Sequence, residues 1–102
     1  MTQVEVDKVR LAEFCRRWQI AELAQFGSSL RADFGPASDV DLLVTFAPDA
    51  DWTLFDHFRM EQELADMLGR DVDLVTRRGI RGSRNWIRRD EILRTARTIY
   101  AA

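Results

Sequence analysis

Cysteine, histidine, proline and long apolar runs are scarce in this chain of 102 residues, and each scarcity excludes something. The only cysteine, Cys15, rules out an intrachain disulfide and fits a reducing cytoplasm. It shares a helical face with Leu11, Phe14 and Trp18 and has no histidine beside it, so it reads as a core thiol and not as a nucleophile. The only histidine, His57, has no second imidazole with which to form a metal set, and on a helix it reads as structural or solvated. No apolar run approaches a membrane span. Met1 to Glu5 lack the basic and apolar regions of a signal peptide, so the expectation is a cytoplasmic chain without a membrane partner. Internal repeats and low-complexity tracts are also missing.

Apolar residues make up 46% of the chain, enough for the modest core of a single domain over residues 1–102. Charge is unevenly spread. Residues 1–76 carry seven basic and fifteen acidic side chains, whereas residues 77–102 carry eight basic and two acidic. The basic quarter from Arg77 to Arg97 suits phosphates, nucleic acid or an acidic protein face, and suits a solvated helix face equally well. No nucleic-acid-binding motif accompanies it, so direct nucleic-acid binding is not expected.

One stretch organises the rest: Gly27-Ser28, ten residues, then Asp39-Val40-Asp41 opening the apolar run Leu42-Leu43-Val44. Residues two apart on a strand share a face, so Asp39 and Asp41 present two carboxylates together, opposite Val40, Leu42 and Val44. Such a pair suits Mg²⁺, which prefers one or two carboxylates completed by substrate phosphate oxygens and water. A glycine after Phe26 permits a sharp turn, after which backbone N–H groups and the Ser28 hydroxyl can face a phosphate. For both halves to share one site, the strand ending at Phe26 and the strand beginning at Asp39 must run antiparallel.

The remaining elements follow from periodicity. Residues 4–18 read as an amphipathic helix with Asp7 in its first turns, and Ile20 to Phe26 as a first strand. Ser29 to Arg31 make a helical turn, residues 33–37 a loop, and Asp39 to Phe46 a second strand. Thr53 and Asp56 resemble a capping box, opening a helix that carries Leu54, Phe55, Phe58, Ala65 and Leu68 inward and stops at Gly69. A helical crossover of this length returns the next strand, Asp71 to Val75, parallel to the second. Asp71 and Asp73 alternate on one face of it, and either can supply a third carboxylate. Arg77 to Ser83 read as a polar connection. Ser83 then caps a last helix running through Arg94 or beyond, with Trp86, Leu93, Ala96 and Tyr100 near one face; Ile99 and Tyr100 can instead form a short edge strand. Trp18, Trp52 and Trp86 read as core residues.

Gly27-Ser28, Arg31, Ser38-Asp39-Val40-Asp41-Leu42 and Gly69-Arg70-Asp71-Val72-Asp73-Leu74-Val75-Thr76 together resemble the minimal nucleotidyltransferases of the polymerase-beta-like superfamily, over roughly residues 20–100. Ala32 departs from the glycine that often follows the arginine. The resemblance implies an α/β (α+β) fold with a small mixed sheet packed by helices. It implies Asp39, Asp41 and Asp73 as catalytic and metal-binding residues, with Asp73 as the third acid; Asp71 reads as the partner of a neighbouring arginine in a salt bridge. Gly27, Ser28 and Arg31 are implied to hold the nucleotide. The implied activity is transfer of AMP from ATP to a hydroxyl with two Mg²⁺ ions and release of pyrophosphate. The implied partner is a HEPN-domain ribonuclease toxin modified on tyrosine within a hetero-oligomer, which makes this chain the antitoxin. The alternative is an antitoxin that neutralises its toxin by binding alone.

Overall fold

A computed structural model describes residues 7–26, 40–82 and 84–102. The order of elements is α1 (Lys8–Arg17), β1 (Ile20–Phe26), β2 (Val40–Phe46), α2 (Leu54–Leu68), β3 (Val72–Thr76), α3 (Arg77–Arg81), α4 (Trp86–Thr95) and β4 (Arg97–Ala101). The strands form a sheet in the order β3-β2-β1-β4. β1 is antiparallel to β2 and to β4, and β2 is parallel to β3, as the shared site and the helical crossover require. The result is the mixed α+β architecture expected from the sequence.

Alternation along β2 divides the core between the two faces of the sheet. Val40, Leu42 and Val44 face α1 and α2, where they join Leu11, Phe14, Met60 and Leu64. On the other face Leu43 packs with Ala24, Phe26, Ile80 and Ile92 beneath α3 and α4. Trp18 and Trp52 close the first core with edge-to-face rings whose centroids are 5.0 Å apart, and the Trp52 indole N–H donates to the Trp18 carbonyl.

Asp7 lies just before α1 and caps it: its carboxylate accepts hydrogen bonds from the Val9 and Arg10 amides. Val4, assigned to the same helix by periodicity, lies outside the described residues. Cys15 is fully buried on α1, and burial pushes its thiol from 9.0 up to about 12. The thiol therefore ionises more easily in the unfolded chain. The stability linked to it is intact below pH 9 and declines as pH rises toward about 12. At mildly alkaline pH the native protein is expected to resist iodoacetamide and to be alkylated only in denaturant, which mass spectrometry of the treated protein reads directly. Rapid labelling of the native chain would contradict the core assignment.

The capping box of α2 forms as read. The Thr53 hydroxyl accepts from the Asp56 amide at 3.1 Å, and the Asp56 carboxylate accepts from the Thr53 amide at 3.0 Å. Gly69 ends the helix in the left-handed conformation at φ 68°. The Thr53 backbone hydrogen bond, then its side-chain hydrogen bond, hold the Asp56 carboxyl below its ordinary value. Stability from this box is thus present above the unfolded carboxylate range and lost as pH falls through the lowered value. An Asp56→Ala variant is expected to melt below wild type at neutral pH, with the gap narrowing as pH falls and the wild-type Asp56 carboxyl is protonated.

Three sequence expectations fail on helix faces and ends. Leu54, Phe55 and Phe58 do not point inward; they are 86%, 72% and 56% exposed. The buried stripe of α2 runs through Met60 and Leu64 to Met67 and Leu68, and tracing it back by three or four residues reaches Asp56 and His57, leaving the large apolar side chains outside. Arg77 to Arg81 form α3 and not a connection, because the Thr76 hydroxyl caps the Gly79 amide and Ile80 buries itself on the sheet. At Gly79 an added Cβ would stand 2.8 Å from that hydroxyl, so the cap requires glycine there. Asn85 caps α4, Ser83 lies outside the described residues, and Ile92 is the buried residue of the helix while Trp86 is exposed. Tyr100 belongs to β4, where Leu23 of β1 is its partner, so the edge-strand alternative holds.

Candidate active site

Asp41 is the second residue of β2 and points to the face opposite Val40 and Leu42. Its register partners are Phe26, the last residue of β1, and Asp73, the second residue of β3. Paired residues on adjacent strands lie about 5 Å apart and face the same way, so the two carboxylates are neighbours at the end of the sheet where β1 leaves and β2 enters. Asp41 is partly buried and Asp73 exposed, which leaves the pair open to a ligand from solvent.

Backbone bonds fix the approach of β3. The Val40 amide donates to the Asp71 carbonyl at 2.9 Å, so Asp71 serves through its main chain. A salt bridge was expected of it, and no ion pair among the described residues involves Asp71. Gly27, Ser28, Arg31 and Asp39 lie outside the described residues.

Two side chains that the sequence reading left aside hold β3 in register. On the outer edge of that strand the Leu74 amide donates to the Glu61 carboxylate at 2.7 Å, and the Leu74 carbonyl is 2.7 Å from His57 Nε2. A carbonyl only accepts, so Nε2 carries the proton. The pair one turn apart on α2 thereby satisfies the edge groups next to Asp73, the structural role expected of a lone histidine. The signal in sequence is the spacing of His57 and Glu61 on the flank of the buried stripe.

At the far end of β2 a second polar network anchors α3. Arg77 Nε donates to the Thr45 hydroxyl at 2.8 Å and Arg77 Nη2 to Glu22 at 3.1 Å, while the Thr98 hydroxyl donates to the other Glu22 oxygen at 3.2 Å. Part of the basic quarter is therefore neutralised inside the fold.

No group of three or more histidine, cysteine, aspartate or glutamate side chains able to hold a metal stands among the described residues. The two carboxylates that are described nevertheless fit a hard divalent cation, since both are oxygen donors on one face of adjacent strands and reachable by water or phosphate. None of the described helices is long and apolar enough to cross a membrane.

A family model described as a nucleotidyltransferase domain matches residues 8–96. Two proteins of Methanocaldococcus jannaschii, each named "Putative protein adenylyltransferase", are similar to the chain. One is 37% identical over 65 residues, covering 64% of this chain and 64% of that protein; the other is 30% identical over 76 residues, covering 74% and 86%. The match thus spans less than two thirds of the first relative. Among solved structures, a "putative minimal nucleotidyltransferase" superposes with a TM-score of 0.65 at 33% identity, over 88% of this chain and 86% of that one. A toxin-antitoxin structure with AMP-PNP gives 0.70 at 19% identity, over 95% and 75%. A tri-AMPylated Shewanella oneidensis HEPN toxin in complex with its MNT antitoxin gives 0.61 at 20%, over 93% and 70%. These last two likenesses establish a shared fold.

Proposed function

Because the chain belongs to the nucleotidyltransferase domain family, we propose that it transfers AMP from ATP to a hydroxyl group, with a tyrosine of a HEPN-domain toxin as acceptor, and that this transfer makes it an antitoxin. The observation that carries the reading is the register pairing of Asp41 with Asp73 beside the end of β1. The names of the archaeal relatives support adenylyl transfer, and the AMP-PNP and HEPN complexes of proteins with the same fold support the donor and the partner.

In the proposed reaction the acceptor oxygen bonds to the α-phosphorus, the bond from that phosphorus to the bridging oxygen breaks, and pyrophosphate leaves. Asp73, on the exposed edge strand, takes the acceptor proton or orients the hydroxyl that loses it. Asp39, Asp41 and Asp73 would hold Mg²⁺ beside the nucleotide. When bound, Mg²⁺ supplies neutralisation of the triphosphate charge. Gly27, Ser28 and Arg31 would hold the phosphates, so that the leaving group is in line with the attacking oxygen.

The test is the intact mass of the cognate HEPN-domain toxin, after incubation with the chain, ATP and Mg²⁺. One or more added AMP units are expected, and none with an Asp39→Asn, Asp41→Asn double variant. An unmodified partner in a stable complex would overturn transfer in favour of neutralisation by binding alone.

A further inference from the structure

The three large apolar side chains that α2 leaves outside require an explanation. Leu54, Phe55 and Phe58, at 86%, 72% and 56% exposure, line a hollow of about 550 Å³ with His57 and Glu61. Apolar side chains clustered in this way on a soluble surface mark an interaction site more often than chance exposure does. We propose that this face of α2 is the surface on which the HEPN-domain partner docks, through an apolar patch with a basic rim; the proposal rests on the partner assignment made above.

Two observations select that occupant. First, the chain around the patch, residues 49–61, contains Asp49, Asp51, Asp56 and Glu61 against the single basic residue Arg59, so the charge beside the patch is acidic. A two-fold contact with a second copy would set acid against acid, and an anionic lipid surface would be repelled, whereas a basic-rimmed protein is attracted. Second, the face is rigid before anything binds. The capping box fixes the first turn of α2, and the bonds from His57 and Glu61 to Leu74 fix the next. Pre-ordering reduces the entropy lost on association. The exposed Trp86 and Ile87 on α4 line a separate hollow with Leu93, Asp90, Glu91 and Arg94, whose rim is of mixed charge.

The test is a calorimetric titration, without nucleotide, of the cognate HEPN-domain toxin into wild type, Phe55→Ser/Phe58→Ser and Trp86→Ser. Wild type is expected to bind, less tightly as salt rises. The double variant is expected to lose at least a hundredfold in affinity, because aromatic anchors dominate such interfaces, while keeping the wild-type shift in melting temperature with ATP and Mg²⁺. Trp86→Ser is expected to bind as wild type does. Unchanged affinity in the double variant, no binding by wild type, or a wild-type oligomer dissolved by the double substitution would each overturn the docking site. Docking lost in the double variant, together with no AMP transfer by wild type, would leave the docking surface standing and sink the transfer reaction alone.

Discussion

An Asp41→Asn variant is expected to transfer AMP about a thousandfold more slowly than wild type or worse, a loss of roughly 4 kcal/mol of transition-state stabilisation. The substitution removes the negative charge and one oxygen donor while keeping the shape of the side chain. Leu42 and Val44, buried on the opposite face of β2, remain in place, so the fold is expected to persist. Asp73→Asn is expected to fall by a similar factor, because Asp73 is the register partner of Asp41 and the two act on one ligand set. The double variant is then expected to be little slower than either single one, as for residues that work as a unit. Rates from single-turnover assays, with circular dichroism and thermal melts on the same samples, separate chemistry from folding. Near-wild-type transfer by Asp41→Asn would remove the carboxylate pair from the mechanism.

The second large effect is on stability. Phe14 is wholly buried on α1 against the sheet, within the cluster that includes Leu11, Leu23, Val44 and Met60. Phe14→Ala removes most of a ring from a close-packed core and is expected to cost about 3–5 kcal/mol. Since a domain of this size is stable by roughly 5–15 kcal/mol, that is a large share of the total. The expected fall in melting temperature is roughly 15–30 °C. Val9, on the same helix but 68% exposed, supplies the control: Val9→Ala is expected to stay within about 0.5 kcal/mol of wild type. Equal losses at the two positions, in urea or thermal unfolding, would contradict the packing of α1 against the sheet.

The strands were the most legible part of the chain. β1 spans Ile20–Phe26 as read, and β2 is described over Val40–Phe46, with its expected first residue, Asp39, outside the described residues. Period-two alternation around Val40, Leu42 and Val44 is a strong local signal, and the direction of β3 followed from the helical crossover alone. Helix faces were less legible. Leu54, Phe55 and Phe58 have the chemistry of core residues, and only the rotation of α2 set by Met60 and Leu64 puts them in water. α3 is too short to show a period, and its Arg77 and Arg78 disguise a segment that is anchored by Thr76 and Ile80.

By itself the sequence determined the alternation that sets Asp41 opposite the β2 core, the caps at Thr53 and Gly69, and the burial of Cys15, because each depends on neighbours a few residues apart in the chain. Only the tertiary structure decided that Asp73, and not Asp71, is the register partner of Asp41, that His57 and Glu61 hold the edge of β3, and that β4 pairs with β1. Those contacts join residues far apart in sequence. Their partners are selected by the packing of whole elements, which no local pattern of charge or apolarity encodes.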